Sequence, residues 1–149
     1  MMQDVPITAQ RDGLVLTTDR RRIDVGAALA LLHATYWAKA LTRDSLALAM
    51  EHSICFGILD GETLIGFARI VTDLVTYAYW SDVVIAEPYR GRGIGMWLAR
   101  EMLGHPQLQT LRRVALITRD AASLYARVGF GEGSGAFTYM EYKRSPSGA

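Results

Sequence analysis

Cysteine is almost absent from this sequence, which contains only Cys55, within an apolar stretch. One thiol cannot form an internal disulfide, and it also excludes a zinc site built from several cysteines. The three histidines, His33, His52 and His105, lack the spacing of metal ligands. We therefore interpret Cys55 as a buried structural residue and predict no metal site.

Long hydrophobic runs are missing as well. The longest uncharged apolar stretch, residues 25–38, is interrupted by His33 and Thr35. It is shorter than the roughly 18 residues that a membrane-spanning helix needs. The first residues lack a basic region followed by an apolar core, which is the pattern of an export signal. We expect a cytoplasmic protein without a membrane partner.

Neither sign of charge is in excess, since 16 basic and 15 acidic side chains give a net charge of +1. This balance argues against a general nucleic-acid binder, so we expect no nucleic-acid partner. Seven arginines but only two acidic residues lie between Arg90 and Arg127, which indicates an anion site there. The negative remainder of the chain would suit a cation or a neutral amine. The alternative is that exposed arginines only solvate helix faces.

The composition is that of one globular domain, with 149 residues, half of them apolar and 21% charged. Such a chain can bury about two-thirds of its unfolded surface. Apolar patterns and turns predict strands at 13–18, 54–59, 64–71, 74–85, 113–117 and 138–142. The same patterns and caps predict helices from 25 to about 37, with Asp24 as the cap, from Thr42 or Asp44 onward, at 95–103 and at 121–127. This order predicts an α/β (α+β) domain with one sheet covered by helices.

Three glycines lie where a predicted strand meets a predicted helix, in residues 90–95, Arg-Gly-Arg-Gly-Ile-Gly. At such a turn the exposed amides and the positive end of the helix dipole point at the same volume, which suits a phosphate. The dinucleotide fingerprint does not fit, because Met96 occupies the position of its third glycine. The nucleotide P-loop does not fit either, because its lysine and hydroxyl are missing.

The spacing R-x-x-G-x-G does match, through Arg90, Gly93 and Gly95. With this motif the chain resembles the GNAT superfamily of N-acetyltransferases, whose pyrophosphate loop for acetyl-CoA has this form. Residues 121–130, Ala-Ala-Ser-Leu-Tyr-Ala-Arg-Val-Gly-Phe, look like the family's second motif, A-x-x-L-Y-x-K-x-G-F. The resemblance covers residues 77–130.

The chain departs from the family pattern at a few positions. Arg127 replaces the usual lysine of the second motif. Thr118 lies where the family often has an asparagine that bonds pantetheine, and the chain contains no asparagine. Glu87 occupies the usual proline position and Pro88 follows it, which we interpret as a shifted turn.

The resemblance implies a single GNAT-like domain with a central mixed, mostly antiparallel sheet flanked by helices and with splayed fourth and fifth strands. Residues 1–75 would form the acceptor-side helices and hairpin, 76–130 the acetyl-CoA-binding core, and 131–149 the terminal strand and tail. The implied activity is acetyl-CoA-dependent transfer to a primary amine of a small molecule or peptide, by direct attack in a ternary complex. The alternative is a non-catalytic acyl-CoA sensor or interaction module of the same fold. A homodimer is compatible with either.

Two residues would carry the chemistry. Tyr125 matches the family's general acid, since a phenol with a pKa of about 10 can protonate a thiolate whose pKa is about 8.5; core packing is the alternative. Asp82 is the leading candidate for acting on the amine, because it is the only carboxylate in an apolar strand and burying an unpaired carboxylate is costly. An ion pair with Arg69 is its structural alternative. A bulge, which in this family splays the fourth strand from the fifth, can re-aim this side chain.

Other candidates for the base are Glu51, Tyr77, Tyr79 or a chain of waters.

The resemblance implies that acetyl-CoA binds Val83, Val84, Ile85, Arg90, Gly91, Arg92, Gly93, Ile94, Gly95, Thr118, Ala121, Leu124, Tyr125 and Arg127. The amine acceptor would contact the aromatic residues Tyr36, Trp37, Tyr77 and Tyr79. Ordinary core packing is the alternative explanation for these four side chains.

Overall fold

Six strands form one sheet in the order of the chain, in a computed structural model that describes residues 5–133 and 135–144. The first five strands are antiparallel to their neighbours, and the sixth pairs in parallel with the fifth. The strands are β1 (Thr8–Arg11), β2 (Leu14–Thr17), β3 (Ile54–Asp60), β4 (Thr63–Thr72), β5 (Ala78–Ile85) and β6 (Val114–Ala115). The helices are α1 (Val25–His33), α2 (Arg43–Glu51), α3 (Ile94–Leu103) and α4 (Ala122–Arg127). The predicted mixed, mostly antiparallel sheet is confirmed.

Helices cover both faces of this sheet. Along β3, Phe56 and Ile58 pack in the cluster that contains α3, whereas Cys55 and Leu59 face the cluster that contains α1 and α2. Alternate residues of a strand point to opposite faces, so a strand covered on both sides reads as a continuous apolar run. Cys55 is buried, in agreement with its structural interpretation.

The N-terminal hairpin was not predicted in full. β2 lies within the predicted strand 13–18, but its partner β1 was missed. Asp12 and Gly13 join the two strands with φ angles of 50° and 81°, the positive values that a tight hairpin turn requires. The Asp12-Gly13 pair, which favours a tight turn, is the sequence feature that could have predicted this hairpin.

Several predicted elements differ from those in the structure; the predicted strand 113–117, for example, is shortened to β6 (Val114–Ala115). α1 ends at His33 rather than at about residue 37, and Thr35 then bonds the carbonyl of Leu32 through its hydroxyl. The predicted strand 74–85 begins only at Ala78, because Asp73 accepts the backbone N–H groups of the following residues in a turn. The expected strand at 138–142 is wrong: these residues form no strand, and Tyr139, Met140 and Tyr142 are exposed. Strand propensity alone does not form a strand without a neighbour to pair with.

Side-chain caps start the two N-terminal helices where the sequence predicts them. The Asp24 carboxylate accepts the N–H of Ala27 at 2.8 Å, and the Thr42 hydroxyl accepts that of Ser45 at 3.1 Å. Within the described part of the chain, no helix has the length and apolar character needed to span a membrane.

The predicted splay between the fourth and fifth strands is confirmed as a divergence of β5 and β6. Their ladder consists of two pairs, Ala78 with Val114 and Tyr79 with Ala115. Beyond Tyr79 the strands separate, so the C-terminal half of β5 borders open space on that side. The candidate functional site lies at this gap.

Packing of α3 on the sheet should dominate stability. We expect Leu98→Ala, at a fully buried position of α3, to lower the free energy of unfolding by about 2–5 kcal/mol. The matched control Leu48→Ala, on α2 and 58% exposed, should change it by less than about 0.5 kcal/mol. Urea unfolding measures both, and equal effects would contradict this packing.

Candidate active site

A bulge interrupts β5 at Asp82. The register passes from Phe67 opposite Val84 to Arg69 opposite Ser81, so two residues of β5 face one residue of β4. Asp82 has a φ of 57°, in the left-handed region that aspartate tolerates better than most residues. The extra residue leaves the ladder locally unpaired at Asp82 and Val83.

Arg69 holds this bulge in place. Its Nε lies 2.7 Å from Asp82 Oδ2, and its two terminal nitrogens donate to Ser53 Oγ at 2.9 Å and to Ser81 Oγ at 3.2 Å. The arginine and aspartate side chains are only 14% and 11% exposed. The ion pair considered from the sequence is therefore formed, and it neutralises the Asp82 carboxylate.

Two clefts meet beside the bulge. The first, here called the bulge cleft, encloses about 630 Å³ and lies in the gap between β5 and the chain that follows β6. It is lined by Tyr36, Trp37, Tyr79, Trp80, Ser81, Asp82, Val83, Leu116, Ile117, Thr118, Arg119, Asp120, Ala121 and Tyr125. The second, the loop cleft, encloses about 820 Å³. Its lining includes twelve of the fourteen predicted cofactor residues: Val83, Val84, Ile85, Arg90, Gly91, Gly93, Ile94, Gly95, Ala121, Leu124, Tyr125 and Arg127.

The glycine loop forms one end of the loop cleft. Gly91 and Gly93 both have a φ of 77°, and Gly93 is the N-cap of α3. The first amides of a helix have no partner within it, and the helix dipole makes this end positive. Arg90 donates from Nε to the carbonyl of Ile85 at 3.0 Å, which ties the loop to the end of β5.

Tyr125 stands where the two clefts join, since it lines both. Its ring packs edge-on against Trp80 and Phe130, with centroid separations of 6.2 and 5.8 Å. Burial raises the pKa of the Tyr125 hydroxyl, and the Asp120 carboxylate adds to this shift. The hydroxyl therefore keeps its proton at neutral pH.

Comparison with known proteins agrees with this geometry. The model of the acetyltransferase (GNAT) family matches residues 25–130. This chain belongs to the GNAT family. A Gibberella zeae protein provisionally named as an acetyltransferase, FG08082, is 31% identical over 89% of this chain and 84% of its own length. Membership implies acyl transfer, and the GNAT family generally uses acetyl-CoA.

Solved GNAT structures share the fold. The crystal structure of a Xanthomonas campestris protein provisionally assigned to the GNAT family is 36% identical and has a TM-score of 0.82, covering 88% of this chain and 93% of that one. The glucosamine-6-phosphate N-acetyltransferase of Arabidopsis thaliana is 13% identical, with a TM-score of 0.64 over 87% of this chain and 97% of that one. At that identity the likeness shows the fold alone.

The loop cleft of this GNAT protein fits coenzyme A. Gly91 and Gly93 leave the backbone uncovered at the positive end of α3, where a pyrophosphate would accept amide hydrogens. Lys39, Arg90 and Arg127 add cationic side chains along the same cleft. The wall formed by β5 is apolar, which suits the pantetheine arm.

Behind the glycine loop, the N-terminal hairpin supplies a contact that sequence reasoning missed. Arg11 of β1 donates to the carbonyl of Gly93 at 3.3 Å. The guanidinium carbon of Arg92 lies 5.2 Å from the centre of the Tyr89 ring, and Arg92 lines a small cavity behind the loop rather than the loop cleft. The predicted cofactor role of the Arg92 side chain thus has no support from its position.

The predicted acceptor residues do not all come together. Tyr36 and Trp37, in the loop after α1, line both clefts, and Tyr79 lines the bulge cleft. Tyr77 and Glu51 are exposed and line neither.

Around the start of α4 lie one predicted residue and two that were missed. Thr118 lines the bulge cleft, and its hydroxyl accepts the N–H of Ala121 at 2.9 Å. Arg119 and Asp120 line the same cleft but were not singled out from the sequence. The sequence feature that could have indicated them is their position immediately before a predicted helix.

In residues 5–133 and 135–144, no group of three or more His, Cys, Asp or Glu side chains could hold a metal ion.

The conformation of Gly93 should matter for cofactor binding. We expect Gly93→Val to weaken coenzyme A binding by about tenfold or more, because a side chain at this positive φ costs about 1–2 kcal/mol and would displace the loop. Gly61→Val, at a φ of 60° in the β3–β4 turn, carries similar strain outside both clefts and serves as control. Calorimetry gives both affinities, and unchanged binding in folded Gly93→Val would rule out this loop.

The ion pair at the bulge should support the fold. We expect Asp82→Asn to lower the free energy of unfolding by about 1–3 kcal/mol, because it leaves the guanidinium of Arg69 without a charged partner. Glu62→Gln, in the exposed β3–β4 turn, should have little effect. If Asp82→Asn kept its stability but lost turnover, most severely at low pH, Asp82 would act in the chemistry instead.

Proposed function

We propose that this protein is an acetyl-CoA-dependent N-acetyltransferase that moves an acetyl group to a primary amine by direct attack in a ternary complex. The observation that carries the proposal is the position of Tyr125, a neutral phenol at the junction of two clefts. One cleft has the form of a coenzyme A site, and the other is free to hold an acceptor. Direct transfer needs this arrangement, because both reactants must be bound side by side.

The bulge would supply the oxyanion partner. Acetyl-CoA, when bound, supplies an acetyl thioester as the electrophile. The backbone N–H of Val83 lies next to the bulge, on a strand whose pairing with β6 has already ended. We assign this amide to the developing negative charge on the carbonyl oxygen, because a donor fixed before reaction costs no reorganisation.

Proton transfer would involve Tyr125 and the acidic residues beside it. The Tyr125 hydroxyl, whose raised pKa keeps it protonated, would give its proton to the departing thiolate. Asp82 is held by Arg69, so its proposed role is to position the bulge and to act on the amine through a water. Asp120 is exposed and lines both clefts, which makes it a second candidate for taking up the amine proton.

The wider organisation follows the same proposal. Residues 1–75 would serve the acceptor side and residues 76–130 the cofactor, while residues 131–149 are the proposed terminal segment. We propose a small-molecule or peptide amine as acceptor, the cytoplasm as compartment, and no nucleic-acid or membrane partner. A homodimer is compatible with this scheme.

Turnover tests the proposal directly. The purified protein is incubated with acetyl-CoA and a panel of primary amines, and released thiol is followed. We expect thiol release that depends on an amine. Coenzyme A binding without turnover across the panel would instead favour an acyl-CoA sensor.

Removing the Tyr125 hydroxyl should affect chemistry more than binding. We expect Tyr125→Phe to lower kcat by about 10²-fold, since general acid groups contribute effects of this size, with coenzyme A affinity nearly intact. Tyr142→Phe removes a hydroxyl at an exposed position outside the clefts and should leave kcat unchanged. Equal turnover in the two variants would make Tyr125 a packing residue.

A further inference from the structure

The bulge cleft has an aromatic wall. Five of its fourteen lining residues are aromatic: Tyr36, Trp37, Tyr79, Trp80 and Tyr125. Val83, Leu116 and Ile117 add aliphatic surface. A site that binds small molecules is typically apolar with a few polar groups that set orientation. The wall therefore favours an acceptor with an apolar body.

Two of these rings are exposed. Tyr36 and Trp37 are 45% and 48% exposed, and their rings meet edge-on with centroids 5.1 Å apart. Large aromatic side chains exposed in a concave site mark a contact surface rather than packing. They form a platform at the opening shared by the two clefts.

The charged groups at the bulge cleft offset each other. Asp82 is paired with Arg69, and the guanidinium carbon of Arg119 lies 3.8 Å from the centre of the Tyr36 ring. Asp120 follows Arg119 in the chain and carries the opposite charge. The described lining of the cleft has two carboxylates against one arginine, and Arg69, which is not part of the lining, offsets the charge of Asp82. A polyamine or a phosphorylated sugar would lack the charge partners that it needs.

We propose that the acceptor is a monoamine whose amino group is joined to an aromatic ring by a short chain, and that Tyr36 and Trp37 determine this specificity. The ring would pack against Trp37 and the part of Tyr36 that Arg119 does not cover, while the amine reaches the bulge beside Tyr125. Aromatic pairs contribute to binding beyond the burial of their area. This inference rests on the proposed transferase function and specifies its acceptor.

An amine panel tests the acceptor class. Initial rates are measured with 2-phenylethylamine, butylamine, spermidine and glucosamine 6-phosphate at saturating acetyl-CoA. We expect kcat/KM for 2-phenylethylamine to exceed that for butylamine by about tenfold or more, since the ring adds buried apolar area and aromatic contacts. Spermidine and glucosamine 6-phosphate, which carry charged groups beyond a single ammonium, should be poorer substrates than 2-phenylethylamine.

Variants of the platform test the assigned residues. We expect Trp37→Ala and Tyr36→Ala to reduce the ratio of kcat/KM between 2-phenylethylamine and butylamine by about tenfold, chiefly through KM. Trp37→Phe should restore most of the ratio, and Leu48→Ala, outside both clefts, should not change it. Calorimetric titration of 2-phenylethylamine into coenzyme A-saturated protein should show the same loss without any turnover.

The outcomes separate this inference from the function on which it rests. No turnover with any amine would overturn both. Preferred turnover of spermidine or glucosamine 6-phosphate, with the ratio unchanged in Trp37→Ala, would leave the transferase function and overturn the aromatic acceptor. If Trp37→Ala weakened coenzyme A binding while amine binding stayed intact, the platform would belong to the cofactor and the inference would fail.

Discussion

The guanidinium of Arg69 joins three parts of the sheet and determines the shape of the site. Arg69 itself belongs to β4. Its guanidinium donates hydrogen bonds to Ser53, immediately before β3, and to Ser81 and Asp82 on β5. A guanidinium this far inside the protein needs a charged partner, because an unpaired buried charge is costly. The same carboxylate lies at the bulge, so one ion pair both satisfies the arginine and keeps β5 out of a regular ladder. The break in the pairing of β4 with β5 at Val83 follows from it.

The divergence of β5 and β6 creates both clefts. Because β6 ends at Ala115, the chain leaves the sheet early, and residues 116–121 form one wall of the gap. α4 then begins at Ala122 and brings Tyr125 back to the junction. A short strand followed by a short helix is thus sufficient to place a tyrosine at the junction of the two clefts.

Local motifs were readable from the sequence, whereas contacts between distant segments were not. The glycine loop and the motif around Tyr125 depend on neighbours in the chain, so their spacing revealed the family and most of the loop cleft. Arg11 reaches Gly93 across 82 positions of sequence, and no local pattern announces such a contact. The prediction of a strand at 138–142 was wrong for the opposite reason. The local alternation is typical of a strand, but no strand of the described chain pairs with it. Asp82 shows both situations. The sequence shows that it is the only carboxylate in an apolar strand, but its ion pair with Arg69 is decided only by the folded structure.

The contact between Arg11 and Gly93 couples the N-terminal hairpin energetically to the glycine loop. A ligand that orders the glycine loop also favours the closed hairpin, and by linkage the closed hairpin favours the ligand to the same degree. Local opening of β1 and β2 would then compete with occupancy of the loop cleft. The backbone amides of β1, which lines neither the bulge cleft nor the loop cleft, would then exchange their hydrogens more slowly when coenzyme A is bound. The first strand of the chain would thereby report on a site formed more than 70 residues later.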